Sequence, residues 1–334
     1  MRRFISKTTL FFLGVLIFVH SLAYVAERLA PDGNASILQA DRQRIEGLLN
    51  QSQKMEALVV GNSHGYTIDL EALGYNGYQL ARSGRDFFEV QYYLKGLIPR
   101  LPEIRTVFIP VSYFSFRRDN AVSESVRIRR IHTYIVIPYW WFIKGDFENF
   151  VIGKSHPIFP ITSVARDDSW EGVFGAIFSG TQQEREQGGD IGSGCDGREL
   201  EYLVAHSRLR THQHVQLTTE MAAKHPNLHL DTYETVVDTI QFLQQRDIRV
   251  IFFTPPYFET YTEFYQASDP ETVTTMKDNM QTLQREYSIE YYDFSVDKEF
   301  ISDHQLFSDS DHLNHCAARQ FSEKLRLAIV DNER

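Results

Sequence analysis

Two short stretches, far apart in this sequence, carry the residue types of nucleophilic catalysis. Gly61-Asn62-Ser63-His64 follows a wholly apolar run, Ala57-Leu58-Val59-Val60, and Asp309-Ser310-Asp311-His312 stands just ahead of a helical pattern near the C-terminus. A serine hydroxyl is a poor nucleophile near neutral pH. It needs a histidine to accept its proton, and a carboxylate on the other ring nitrogen to fix the tautomer and stabilise the imidazolium. Ser63, His312 and Asp309 fit these roles, with one loop supplying both partners. Asp311 is the alternative orienting acid, although its adjacency to His312 makes the side-chain geometry harder. Both stretches also have a plain structural use, because Asn and Ser are ordinary turn and capping residues and an Asp ahead of a helix caps it.

Other groupings offer other chemistry. His304, Asp309, Asp311, His312 and His315 are near enough in sequence to suggest a divalent-metal site of imidazole and carboxylate ligands, and so a metal-dependent phosphoesterase. The strand-end serine far upstream is better explained by a triad, so no metal and no cofactor is expected. His212 and His214 read as solvated residues of a strand or loop. The two cysteines, Cys195 and Cys316, show no CxxC spacing for zinc or a thiol redox pair, and whether they pair is open at this level. Cys316 beside His315 reads as a buried structural cysteine and not as a nucleophile.

The elements that must position these residues alternate. Ala40 to Lys54 spaces Ile45, Leu48 and Leu49 at helical intervals, and strands follow at Ala57 to Val60, Gly77 to Ala81 and Thr106 to Val111. Ser83-Gly84 makes a turn, and Asp86 caps a helix carrying Phe87, Val90, Tyr93, Leu94 and Leu97. A helix over Tyr233 to Gln245 leads to a strand at Arg249 to Phe253, and a strand near Glu290 to Phe294 leads to the Asp- and His-bearing loop. Ala317 to Val330 closes the chain as a helix. Strands alternating with helices predict an α/β fold with a mostly parallel three-layer sheet. Phe116 to Leu230 breaks the pattern and reads as an insertion or cap. Its Tyr139-Trp140-Trp141-Phe142 could stack on sugars or lie at a membrane surface, but packing in a core is the expectation.

Gly61-Asn62-Ser63-His64 together with Asp309-Ser310-Asp311-His312-Leu313-Asn314 resembles the first and last blocks of the SGNH (GDSL-like) hydrolase superfamily. The resemblance covers roughly residues 55 to 115 and 230 to 330. It implies a flavodoxin-like α/β/α fold with five parallel strands, Ser63 as nucleophile and Asp309 and His312 as its partners. The second block's oxyanion glycine would be Gly84, whose N–H would join that of Ser63. The third block's asparagine is missing from Ile109-Pro110-Val111-Ser112-Tyr113, and Ser112 is taken as the substitute donor. Thr254-Pro255-Pro256-Tyr257 and the His-Leu-Asn run resemble the divergent, membrane-tethered bacterial branch, which includes proteins of polysaccharide O-acetylation and of D-alanine transfer to cell-wall polymers.

Arg2, Arg3 and Lys7 precede an apolar stretch from about Thr8 to Ala26 that holds no Asp, Glu, Lys or Arg. Its length suits a transmembrane helix with the N-terminus cytoplasmic, and a signal peptide cleaved after Ser21-Leu22-Ala23 is the rival. The predicted organisation is a cytoplasmic tip and anchor at 1–30, a linker and leading helix at 31–54, a catalytic domain from 55–116 and 231–334, and an insertion at 117–230. With 43% hydrophobic and 23% charged residues the 334-residue chain is globular in composition, and its formal net charge of -10 argues against nucleic acid as a partner. The expected function is that of an exported serine esterase or acyltransferase in the inner membrane, its domain periplasmic or extracellular. The resemblance implies O-acetyl groups on a cell-envelope or capsular polysaccharide, with a membrane acyltransferase as a partner. The alternative is a catalytically silent module that binds glycan or protein in an assembly complex.

Overall fold

The computed structural model describes residues 34–123, 126–155 and 194–334. They fall in two compact units, one from Met1–Gly47 and Ser123–Arg185, the other from Leu48–Val122 and Glu186–Arg334. The predicted apolar span at 8–26 lies outside the described residues, as does most of the glycine-rich tract at 187–197. Among the described residues no helix is long and apolar enough to cross a membrane.

The larger unit is built on a five-stranded, wholly parallel sheet: β1 (Ala57–Val59), β2 (Gly77–Gln79), β3 (Thr106–Pro110), β4 (Arg249–Thr254) and β5 (Glu290–Asp293), in the order β2-β1-β3-β4-β5. The apolar runs occupy the middle. β1 and β3 are buried at every residue and β4 at all but Arg249, as strands covered on both faces must be. The half-exposed Gly-Tyr-Gln and Glu-Tyr-Tyr-Asp of β2 and β5 form the edges. This order is the doubly wound one whose ligands collect beyond the strands' C-terminal ends, at the switch point between β1 and β3.

Helix α1 (Asn34–Asn50) leads in, and α2 (Phe87–Leu97) crosses from β2 to β3. Asp86 caps the helix as predicted, and the cap is a full capping box: Asp86 accepts from Glu89 N, and the Glu89 carboxylate accepts from Asp86 N. The smaller unit holds α3 (Arg127–Val136) and α4 (Phe147–Ser155). Asp146 is its polar centre, accepting from Arg130, Tyr134 and Asn149 at 2.9, 2.7 and 2.6 Å. The expectation that its aromatic run is core fails for Trp140 and Trp141, which are 75% and 66% exposed. They sit in the connection between α3 and α4, beyond the helical face that could have buried them.

In the larger unit follow α5 (Leu200–Lys224), α6 (Leu228–Gln244), α7 (Glu259–Ser268), α8 (Pro270–Tyr287), the short α9 (Lys298–Ile301) and α10 (His315–Asn332). The long α5 lies inside the predicted insertion yet belongs to the sheet-bearing unit. Helix α6 packs on α2 and α8, while α10 packs on the turn after β1, an arrangement consistent with three α/β/α layers. Val59, Phe108, Ile251, Phe253 and Phe321 share one buried core directly under that turn.

Candidate active site

Ser63 is placed by two local devices at the end of β1. Gly61 comes so close to Pro110, at the end of β3, that a Cβ there would lie 2.5 Å from the proline ring. Asn62 then caps a 3₁₀ turn, Ser63–Thr67, its Oδ1 accepting from His64 N at 3.0 Å. The Ser63 hydroxyl is left half-buried at the sheet's C-terminal edge.

The Asp-x-x-His spacing has a simple origin. β6 (Phe307–Asp309) and β7 (His312–Leu313) form a small antiparallel hairpin in which Asp309 pairs directly with His312 across a two-residue connection, so residues three apart face one another. His312 Nδ1 lies 2.9 and 3.0 Å from the two Asp309 oxygens, and His312 Nε2 lies 2.8 Å from Ser63 Oγ. Burial lowers the His312 pKa, but the nearby Asp309 and Asp311 carboxylates outweigh it and leave the pKa raised. The geometry is that of a serine made nucleophilic by a base whose tautomer a carboxylate fixes.

Asp311 does not take the orienting place. It approaches His312 Nδ1 only to 3.6 Å and is instead held by His64 Nε2 at 3.3 Å and by Arg210 Nε at 3.3 and 3.4 Å. Burial, the largest single influence, would raise its pKa, but Arg210, His312, the His64 hydrogen bond and His214 together outweigh it and hold the carboxyl ionised well below its usual range. His64 itself is buried, and its pKa is lowered chiefly for that reason.

Ser63 and Gly84 both follow the C-terminal ends of adjacent strands of the parallel sheet, and among the described residues neither N–H is taken up by an acceptor. Gly84 is buried with φ +72°, a left-handed conformation that glycine adopts without strain. The expectation for Ser112 is corrected. Its side chain is fully buried, with Oγ 2.7 Å from Asn62 Nδ2 and 2.6 Å from His64 Nδ1, so its single hydroxyl proton is committed inside the protein. An asparagine does follow β3, but later and with another task. Buried Asn120 donates through Nδ2 to the Gly84 carbonyl at 2.9 Å and to Glu89 at 2.7 Å, pinning the glycine turn. A small cleft lined by Gly61, Asn62, Arg85, Asp86, Phe114 and Arg118 adjoins the turn that carries Ser63, and none of Ser63, Asp309 and His312 lines it.

Helix α5 supplies residues that the sequence reading missed. His206 meets Ser310 Oγ at 2.9 Å, Ser207 meets Thr260 at 2.8 Å, Arg210 meets Asp311, and His214 meets Tyr261 at 2.8 Å. The available signal was the spacing of these polar residues three and four apart, one face of a helix. His214 is therefore buried and not solvated. The cysteines pair: Cys195 and Cys316, 121 residues apart, tie the start of α10 to the segment entering α5. Asn314, which caps α10, reaches the Cys195 carbonyl at 3.2 Å, and Arg198 donates to the Ser308 carbonyl at 2.9 Å.

Of the residues suggested for a metal, His304 is half-buried and bonds the Arg198 carbonyl, and His315 is exposed on α10. Two other triplets, His64/Asp311/His312 and His206/Asp309/Asp311, bring ligand atoms within 4.8 Å of one another. Both depend on Asp311, whose charge the Arg210 guanidinium already meets, so a cation there would have to displace that arginine.

No protein-family model matches the chain, and no curated protein matches it. Among solved structures it is similar to a crystal structure described as that of a "putative acylhydrolase" from Bacteroides fragilis, with 10% identity and a TM-score of 0.39, covering 86% of this chain and 97% of that one.

Proposed function

We propose that the chain is a serine ester hydrolase or O-acyltransferase of the SGNH type. The observation that carries this reading is the unbroken array from Ser63 Oγ through His312 to Asp309, at 2.8 and 2.9 Å, beyond the β1/β3 switch point. Ser63 attacks an ester carbonyl as His312 Nε2 takes its proton. The oxyanion is met by the N–H groups of Ser63 and Gly84. His312 then protonates the departing alcohol and leaves an acyl-Ser63 ester, which the same base helps water or a second hydroxyl to cleave. Hydrolysis and transfer differ only in that acceptor.

The substrate class follows from the resemblance of the motifs: an acyl ester, with acetyl as the acyl group, on a cell-envelope or capsular polysaccharide. In this reading the chain is exported and anchored in the cytoplasmic membrane by residues 8–26, beside a membrane acyltransferase that delivers acyl groups. The Cys195–Cys316 disulfide suits an oxidising compartment. The test is turnover of p-nitrophenyl acetate by the full chain in detergent, with Ser63→Ala and His312→Ala beside it. Activity abolished in both supports the reading, and activity retained by Ser63→Ala rejects it.

A second reading, a binding module without catalysis, is favoured by the exposed Trp140 and Trp141, since aromatic faces stack on sugar rings. Glycan binding unchanged by Ser63→Ala but lost in Trp140→Ala, with no ester turnover in the parent chain, would select it.

A further inference from the structure

Behind the first array lies a second one made of the same three residue types. Asn62 Nδ2 donates to Ser112 Oγ at 2.7 Å, Ser112 Oγ is 2.6 Å from His64 Nδ1, and His64 Nε2 is 3.3 Å from Asp311 Oδ2. Asp311 in turn receives Arg210 Nε. The proton directions are set from the carboxylate end. The carboxylate only accepts and burial keeps His64 neutral, so His64 carries its proton on Nε2 and accepts at Nδ1, from Ser112 Oγ at 2.6 Å with the Tyr257 hydroxyl the more distant donor at 3.3 Å. His312 has the opposite tautomer, accepting from Ser63 at Nε2 and donating from Nδ1 to Asp309. The two imidazoles lie 5.0 Å apart between centroids.

Ser112 is fully buried, so the second array meets no substrate. What it does touch is both halves of the first. His64 follows the nucleophile and Asp311 precedes the base, so consecutive residues of one segment bond consecutive residues of the other. We infer that Ser112, His64 and Asp311 are positioning residues that hold the His312 hairpin in register with Ser63 and place a second carboxylate, steadied by Arg210, beside the His312 Nδ1 edge. The inference rests on the reading of Ser63, His312 and Asp309 as the reacting array.

The charged and titratable groups around the two imidazoles come from every side: Asp309 and Asp311 on the hairpin, Arg210 and His214 on α5, and the Tyr257 hydroxyl, 3.3 Å from His64 Nδ1, after β4. Asp311 raises the basicity of His312, whereas Arg210 lowers it. Replacing Asp311 with an uncharged residue therefore removes a raising influence and leaves Arg210 unbalanced.

The experiment uses the full chain and p-nitrophenyl acetate across pH, with Asp311→Asn, Ser112→Ala and Ser112→Thr. The expected result is a kcat about 10- to 100-fold lower for Asp311→Asn and Ser112→Ala with KM within twofold, because a small misplacement of reacting groups is enough for such a loss. For Asp311→Asn the acid limb of kcat moves to lower pH, and Ser112→Thr, which keeps the hydroxyl, recovers most of the rate. An acid limb that stays in place, or rates within twofold of the parent while Ser63→Ala is inactive, overturns the inference. Should Ser63→Ala stay active, the parent reading fails instead. The tautomer of His64 by imidazole ¹⁵N NMR then still decides the relay: a proton on Nε2 upholds it, and a proton on Nδ1 overturns it.

Discussion

His64 and Asp311 face each other at 3.3 Å, one residue along from Ser63 and His312, which face each other at 2.8 Å. The turn after β1 and the β6–β7 hairpin are thus joined by two side-chain rungs, one half-open to substrate and one buried. Both rungs share the same two supports, the turn that Asn62 caps and the hairpin in which Asp309 faces His312.

The pH dependence of turnover follows from the raised pKa of His312. The base must be neutral to accept the Ser63 proton, so kcat/KM should rise with pH with a midpoint above the ordinary histidine value of 6.5. Asp309→Asn removes a raising influence and the tautomer lock. It should shift this midpoint downward and cost roughly 10³- to 10⁴-fold in kcat. A stopped-flow pH series on parent and variant would contradict the assignment if the midpoint stayed fixed.

Asn120 should matter to catalysis without touching substrate. Asn120→Ala takes a buried donor from the Gly84 carbonyl and from the Glu89 carboxylate, which keeps the Asp86 N–H, at a cost of about 1–3 kcal/mol. Thermal unfolding should move down by several degrees, and kcat should fall more than KM rises. Asn120→Asp should be worse, since it sets a carboxylate against Glu89 and the Asp86 oxygen that accepts Asn120 N. Equal stability of the alanine and aspartate variants would argue against this account.

Removing the disulfide, by Cys195→Ser with Cys316→Ser, should lower stability by about 2–5 kcal/mol, given the 121-residue separation it closes. Chemical denaturation of the full chain measures this directly. A midpoint unchanged from that of the oxidised parent would show that Asn314 and Arg198 alone hold the segment.

Stability should decline on mild acidification. His64 and His214 have lowered folded pKa values, chiefly through burial, so below about pH 6.5 the unfolded chain binds the protons they refuse and stability is lost as pH falls. His312, with its pKa raised, contributes in the other sense, its stabilisation complete below 6.5 and lost as pH rises through the folded value. Two lowered groups against one raised predict a net fall in melting temperature from pH 7 to pH 5, flatter in His214→Gln. A flat parent profile would count against the burial of these histidines.

Much of the sheet was legible because β1, β3 and β4 are apolar runs ending in Gly or Pro, and such runs have few alternatives to a covered parallel strand. The pairing of Asp309 with His312 was legible for a related reason, since the two lie three residues apart, and the position of Ser63 because it follows β1 directly. What escaped is long-range. Nothing near Ser112 says that its hydroxyl turns inward to His64, and nothing near Asn120 says that it reaches back 36 residues to Gly84. His212 is exposed, as read, but His214 read as solvated because the helix was hidden in a stretch whose polar face packs inward, against the usual sense of amphipathic patterning. Trp140 and Trp141 failed in the opposite way, as apolar residues that no core covers.

The polar face of α5 has a consequence for how this chain tolerates change. His206, Ser207, Arg210 and His214 reach four different partners from successive turns of one helix, so all four contacts share a single rotational phase. Inserting or deleting one residue between Leu200 and Tyr202 would turn everything beyond it by about 100°, unless the helix slipped in compensation. Arg210 would leave Asp311 and His214 would leave Tyr261 in the same event. Point substitutions along α5 can be absorbed one contact at a time, whereas a change of length by one residue there is an all-or-none insult to the carboxylate behind the base.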